Sequence, residues 1–597
     1  MIENKDKIWI FTFEYAGIAK MGGLGEVPAN QAKHLKNYFD ITVFIPSHGQ
    51  VDRLKMSNTW EKLPLKCTGQ INPQILGINE AEELYSISFY RFIINNVNVF
   101  LLTGENLFTK RFLDDKDIYN PDTINGKICF FSIGIRCLID FLIENRKEYL
   151  PDVIHLHDYH VVFPFIGLKQ RLIKNGLDIP SIITIHLLTW PRYPIGFYRA
   201  CGIDQTPIKI FLKEGFKLFT IDEIFSLCAD SYLQAPSVEK IGAVISDLVT
   251  TVSQSYLNSD IIPYCGKALI EFKSEFIWDG CDWEYFEMYR SIIQSYGTEI
   301  RELLNIPVQN EISLENLKEY LLKYKIGHLS QSPFINSTKV LDVINEISNG
   351  NPFIRNGTIQ PFSESGPLVI TTGRISPQKG FETIFEAIPK IIHIIPKVKF
   401  LFLILPSDYS LNEIRAYANY VKKYPNNIRI VFGVASEIYF LTHIAADVYC
   451  ALSRWEPFGI NALEAMASKI PIIATQVGGF QETIIDMRDY PEVGTGILIE
   501  KDNISQFTEA LISLLKLAEV SEKTKDMRSI YETETLKVVN QIPDEIIKSR
   551  VLLDANYYSK IKENCYKRVK DNFKWSIVSK KLIELYDRIK NKHISTI

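Results

Sequence analysis

The chain has 597 residues, 46% of them hydrophobic and 23% charged, with a net charge of -4. That is the composition of a folded globular protein too long for one ordinary core, and it excludes disordered and fibrous classes. So small a net charge makes no electrostatic case for nucleic acid, and nowhere do apolar residues run to the roughly 18 that a membrane span needs. Nine cysteines with no Cys-x-x-Cys pair form neither a disulfide framework nor a zinc pattern, and they suit a reducing compartment. The first seven residues mix both signs of charge and the apolar run behind them stops at Glu14, so no signal peptide is read and a cytoplasmic location is expected.

In chain order, Ile8 to Phe13 reads as a buried parallel strand. It is followed by a loop with Lys20, Gly22, Gly23 and Gly25, an amphipathic helix through Leu35, and a strand at 41–45. This βαβ opening lacks the G-x-G-x-x-G pattern, and its second strand ends in Pro46-Ser47-His48 rather than an acidic ribose ligand, which excludes a dinucleotide site. Lys20 beside glycines suits phosphate or sugar hydroxyls, and equally suits solvent. Residues 51–100 read as strand-rich and 128–146 as a helix. Asp152 to His160 places three histidines and Asp158 at a strand end, the ligand edge of an open α/β sheet, and Ile182 to His186 repeats the pattern. Structural or sugar-contacting roles fit these histidines better than metal ligation, since no metal-ligand spacing surrounds them. A further strand at 247–252 and a turn at 279–282 close this half.

Residues 284–366 read as a linker plus insertion. From Pro367 a second α/β half follows, with strands at 368–372, 398–405 and 428–432 alternating with helices. Its first loop holds Arg374 and Lys379, a cation pair that suits a diphosphate. Glu456-Pro-Phe-Gly-Ile460 predicts a helix starting at Pro457, whose N–H groups at Phe458, Gly459 and Ile460 form an anion site. On such a helix Glu464 lies about 12 Å along the axis and roughly 80° around from Glu456. Residues 516–556 read as a second insertion, and the tail as an amphipathic helix broken at Phe573 and Trp575.

Five segments in collinear order resemble glycogen and starch synthases, family 5 of the glycosyltransferases. They are Lys20-Met-Gly-Gly-Leu, Asp152 to His160, Thr184-Ile-His186, Arg374 with Gln378-Lys379-Gly380, and Glu456-Pro-Phe-Gly459 with Gly478-Gly479. The resemblance implies the GT-B fold, an α/β architecture of two Rossmann-like domains whose parallel sheets face a central cleft. The expected domains are 1–283 for the acceptor and catalysis, 367–575 for the nucleotide sugar, and 576–597 as a helix crossing back to the first domain. The implied reaction moves glucose from ADP-glucose or UDP-glucose to the nonreducing-end 4-hydroxyl of an α-1,4-glucan, with retention, no metal and no cofactor. The implied partners are the nucleotide-sugar donor and the glucan acceptor, with no nucleic acid or membrane and no indication of oligomeric state.

By the same resemblance Arg374 and Lys379 neutralise the leaving diphosphate, His186 sits beside the donor glucose, and Glu456 holds its hydroxyls or the developing oxocarbenium. Lys20, Gly22, Gly23, Phe458, Gly459 and Ile460 line the donor, Glu464 takes the ribose hydroxyls, and Glu14 and Asp158 face sugar or acceptor. Three departures stand out: Asp279-Gly-Cys-Asp282 in place of an Asn-Gly-Ile-Asp turn, Phe458 in place of cysteine, and Glu464 in place of tyrosine. Glu464 instead matches the Glu-x7-Glu pattern of family 4 transferases, so another retaining GT-B transferase is the alternative, followed by a silent glucan-binding regulator.

Overall fold

The computed structural model describes residues 5–79, 82–230, 235–333, 335, 337–433, 435–524 and 530–594. Residues 1–4, 525–529 of the second expected insertion and 595–597 of the expected terminal helix lie outside the described residues. The chain forms two units, Met1–Asp279 with Trp575–Ile597, and Gly280–Lys574.

The first unit is built on nine strands: β1 Lys7–Phe11, β2 Asp40–Pro46, β3 Thr59–Ile71, β4 Glu83–Ile94, β5 Val97–Gly104, β6 Val153–His157, β7 Ser181–Ile185, β10 Leu248–Thr251 and β11 Ser274–Phe276, with a separate hairpin of β8 Ile208–Leu212 and β9 Gly215–Phe219. The sheet order is β11-β10-β7-β6-β1-β2-β5-β4-β3. Strands β11 to β5 are parallel, and the long β3–β4 hairpin extends the sheet antiparallel. The parallel strands are buried on both faces, which is why they read as unbroken apolar runs. Phe11, Phe44 and Phe100 stack across β1, β2 and β5 with centroids 4.6 and 5.3 Å apart. The chain leaves β1 toward β2 and returns to β6 on its other side. The switch point therefore falls between β1 and β6, where ligands bind beyond the carboxyl ends of the strands.

In the second unit seven strands pair all-parallel in the order β12-β15-β14-β13-β16-β17-β18. Their spans are β12 Ile354–Arg355, β13 Leu368–Arg374, β14 Lys399–Leu405, β15 Ile428–Phe432, β16 Val448–Ala451, β17 Ile472–Thr475 and β18 Gly496–Ile499. Here the order reverses between β13 and β16, so the loops after these two strands meet at the ligand edge.

The stretch 284–366, read from sequence as linker plus insertion, belongs to this second unit. Helices Tyr285–Leu304, Leu314–Lys323 and Thr338–Ser348 precede β12, which pairs with β15 as the outermost strand. Lys318, almost wholly buried, donates to Asp447 at 2.9 Å and ties the stretch to the start of β16. The boundary at 516 falls inside one helix, Ile504–Thr524, whose Leu511, Leu514, Leu515 and Leu517 are buried. Of the charges that suggested an insertion, Glu522, Glu532, Glu534, Lys537 and Glu545 are exposed, while Lys516 is buried and donates to Glu519.

Helix Tyr557–Asn572 ends at Phe573, and helix Trp575–Ile594 lies in the first unit. There Leu582, Leu585, Tyr586 and Ile589 are buried, the Tyr586 ring is 5.5 Å from Phe39, and Lys590 donates to Asp6 at 2.5 Å.

Candidate active site

In the second unit the loop after β13 turns through Pro377–Lys379 and then Gly380, whose φ of +60° is left-handed. A Cβ on Gly380 would stand 2.2 Å from the Leu452 carbonyl, so only glycine lets this loop press on the one after β16. Two hydrogen bonds join the loops: Arg454 N–H donates to the Gln378 carbonyl at 2.7 Å, and Gln378 Nε2 donates to the Trp455 carbonyl at 3.0 Å. Between them Lys379 Nζ lies 2.6 Å from Glu456 Oε2, and Ser453 Oγ donates to the same oxygen at 2.9 Å. Arg374 at the end of β13 is exposed, and its guanidinium makes no hydrogen bond or ion pair among the described residues. Lys379, Ser453, Glu456, Gly459, Asn461 and Thr372 border one cavity.

Pro457 does not begin a helix. The helix runs Ile460–Ala467, and Gly459, at φ +95°, is its N-cap. Pro457 and Phe458 instead form the wall of a turn held by the next crossover. A Cβ on Gly478 would sit 1.9 Å from the Glu456 carbonyl, one on Gly479 2.3 Å from Phe458 Cα, and one on Gly459 2.2 Å from the Phe480 ring. Gly479 N–H donates to the Glu456 carbonyl at 3.0 Å. These glycines allow a backbone-to-backbone approach that fixes Glu456. The ring of Phe458 is buried, 6.0 Å from Phe573, which leaves the backbone of this residue as the part that can face a ligand. Because Glu456 precedes the helix, the helical spacing expected between Glu456 and Glu464 does not hold.

The first-turn N–H groups at Ile460 and Asn461 have no intrahelical acceptors and point out of the helix start. Asn461 Nδ2 donates to the Thr372 carbonyl at 3.2 Å and anchors that start on the end of β13. Glu464 accepts from Tyr439 Oη at 3.0 Å.

In the first unit Glu14 is buried, and its Oε2 accepts from the N–H groups of Met21 and Gly22 at 2.6 and 3.0 Å while Tyr119 Oη donates to Oε1. The carboxylate thereby shapes the glycine loop that carries Gly22 and Gly23. Lys20, half-exposed, is ion-paired with Glu26.

Asp158 has a left-handed φ of +61° and turns its carboxylate under the neighbouring loop, where Oδ1 accepts from His186 N–H at 2.7 Å. Burial pushes its pKa up to about 8 against those N–H donors. His157 Nδ1 lies 2.9 Å from His186 Nε2, with the rings stacked. His155 spans Tyr586 Oη at 2.8 Å and Thr184 Oγ1 at 2.7 Å. Burial holds His155 and His186 down to about 3 and His157 well below its usual value, so the row is neutral at pH 7. Both ring nitrogens of His155 are committed to hydroxyls, a structural arrangement.

Two family models match the chain. The starch synthase catalytic domain matches residues 7–271 and glycosyl transferases group 1 matches 358–530, which places one model on each of these two sites. The chain belongs to the glycogen and starch synthase family of glycosyltransferases.

Curated members of the family align along most of its length. The glycogen synthase of Clostridium novyi is 23% identical over 81% of this chain and 86% of that protein, and that of Thermodesulfovibrio yellowstonii is 23% identical over 97% of each. Among solved structures, the catalytic domain of starch synthase IV from Arabidopsis thaliana, bound to ADP and acarbose, superposes with a TM-score of 0.64 at 17% identity, covering 98% of this chain and 100% of that one. That likeness establishes the GT-B fold for this family member.

Within this glycosyltransferase, the second unit brings together Lys379, Glu456, Gly459 and Ile460 with Arg374 at the neighbouring strand end, and the first unit brings together Asp158 and His186. Other contributors are not legible in the sequence: Thr372, Tyr439, Tyr119 and Tyr586 each reach their site residue across a tertiary contact, while Ser453 reaches Glu456 from three residues before it. The bond from Tyr119 to Glu14 spans 105 residues of sequence. Asn461 was open to reading, as the one amide in the first turn of a helix at the ligand edge.

Proposed function

We propose that this enzyme transfers glucose from a nucleoside diphosphate glucose to the nonreducing-end 4-hydroxyl of an α-1,4-glucan with retention of configuration. The observation that carries the reading is the cradle at the β13–β16 switch point. A lysine and an unengaged arginine stand beside an open helix N-terminus there, with a carboxylate fixed by glycines next to them.

In this reading the diphosphate lies against Arg374, Lys379 and the N–H groups at Gly459 and Ile460. Lys379 then neutralises charge that grows on the leaving group as the glycosidic bond breaks, which is transition-state stabilisation. Glu456 lies 2.6 Å from that ammonium, so the same residue pair spans from phosphate to sugar, with the carboxylate taking hydroxyls or the positive charge developing at the anomeric carbon. Glu464, poised by Tyr439, takes the ribose. In the first unit the neutral His186 offers a hydrogen bond to the donor sugar without a competing charge, Lys20 and the Gly22–Gly23 turn held by Glu14 meet donor phosphate or glucose, and Asp158 sets the His186 loop beside the acceptor. All nine cysteines are free thiols, which supports a cytoplasmic, reducing setting.

The test is a side-by-side assay of ADP-glucose and UDP-glucose on glycogen and on maltoheptaose, reading diphosphate release and polymer labelling together. One donor is expected to label both acceptors with the α-anomeric product. If neither donor labels a glucan while the protein is folded, the reading is overturned.

A further inference from the structure

Along the loop that leaves β7, five successive backbone N–H groups donate to side chains. His186 and Leu187 donate to Asp158 Oδ1 at 2.7 and 3.4 Å, Leu188 to Tyr256 Oη at 2.9 Å, and Thr189 and Trp190 to Glu239 Oε1 at 2.9 and 3.0 Å. Glu239 is fully buried in helix Val238–Ile245, and Val238 N–H reaches back to the Pro191 carbonyl at 2.9 Å. Arg192, two residues on, is pinned by Asp230 at 2.9 Å.

At the crest of this scaffold Trp190 takes a left-handed φ of +57°, a conformation that costs a bulky residue energy and persists only where its surroundings enforce it. Its ring is 49% exposed, with the Tyr264 ring set edge-on at 5.8 Å. A single exposed tryptophan needs no explanation. One held in strained backbone by a buried carboxylate, on the loop that begins with His186 at the ligand edge of the sheet, does.

We propose that the Trp190 indole is a stacking platform for a glucosyl unit of the acceptor chain, next to the unit that reacts. A glucopyranose turns a flat face of C–H groups outward while its hydroxyls stay in water. An indole held rigid in advance takes that face with little loss of conformational entropy. Tyr264 fixes the tilt of the ring, and no charge is required, as befits a neutral polysaccharide. The platform rests on the glucan-acceptor reading above.

Glycine suits a left-handed backbone, so Trp190→Gly removes the ring while easing the fold, and Trp190→Phe keeps an aromatic face. Affinity electrophoresis in glycogen gels and the acceptor KM for maltoheptaose are the readouts. W190G is expected to weaken both by about tenfold and W190F by less than about threefold, with the donor KM unmoved. W190G retaining wild-type glucan affinity and acceptor KM would overturn the platform alone. A wild-type enzyme that transfers glucose to no glucan overturns the functional reading and the platform with it.

Discussion

Lys379 and Glu456 hold each other before any substrate arrives, and both are largely withdrawn from water. A pair so placed is weak evidence for stability, because desolvation of the two charges offsets much of their attraction. What it does is orientation: each side chain holds the other in place at the border of the cavity. Lys379→Ala is therefore expected to lower kcat by about 10²- to 10³-fold, the scale of losing one preorganised electrostatic donor. The same change leaves Glu456 with Ser453 alone, so a thermal melt should fall as well. Lys379→Arg, which keeps a cation at the position, should restore the melt more fully than the rate. Steady-state kinetics and melting of the three proteins check this, and an alanine variant with wild-type kcat would remove Lys379 from the chemistry.

At the scale of the element, the terminal helix Trp575–Ile594 acts on the histidine row through one hydroxyl. Tyr586 Oη is the partner of His155 Nδ1, and its ring is fully buried. Tyr586→Phe keeps the packing and strands that nitrogen, a loss of about 1–3 kcal/mol expected to lower the first unit's melting midpoint by several degrees. Differential scanning calorimetry reads it, and an unshifted midpoint would mean that His155 finds another partner. The strands that lead to His157 and His186 were legible in sequence because buried parallel strands are apolar runs and the polar residues come at or just past their ends. Arg374 and Lys379 suggest a diphosphate from their types and spacing alone, whereas Glu456 takes its role only from the family resemblance. The helix start at Ile460 was not legible, because Pro457 is a good first helical residue locally and only the approach of Gly478 and Gly479, some twenty residues on, turns it into a wall. Glu14 illustrates the same limit: the resemblance makes it face sugar or acceptor, and only the folded loop shows two N–H groups and a tyrosine already on its carboxylate.

For the whole molecule, the buried histidines set the acid limit. Burial lowers His155, His160 and His186 to about 3 and His443 to about 4, and holds His48 and His157 well below the ordinary 6.5. The unfolded chain therefore takes up protons below pH 6.5 that the native chain does not, so this stability is fully present above 6.5 and is lost as pH falls toward 3. Asp158, raised to about 8, works in the opposite sense between its ordinary 3.8 and 8, and burial also raises Asp114, Asp140 and Glu239, but these four carboxyls face six imidazoles. Denaturant melts at pH 7 and pH 5 should differ by several kcal/mol in favour of pH 7. The larger loss is expected in the first unit, which holds every one of these histidines except His443. Equal stability at the two values would show the imidazoles protonated in place.

The first unit is also discontinuous, since Trp575–Ile597 completes what Met1–Asp279 begins. On the ribosome its sheet emerges early, yet the helix that covers Phe39 and His155 is made only after the whole of the second unit. At ordinary elongation rates the wait is about 15–60 s. Throughout that interval the nascent unit leaves open the apolar surface where Leu582, Leu585 and Tyr586 will lie, a surface a chaperone can cover until Trp575–Ile594 emerges.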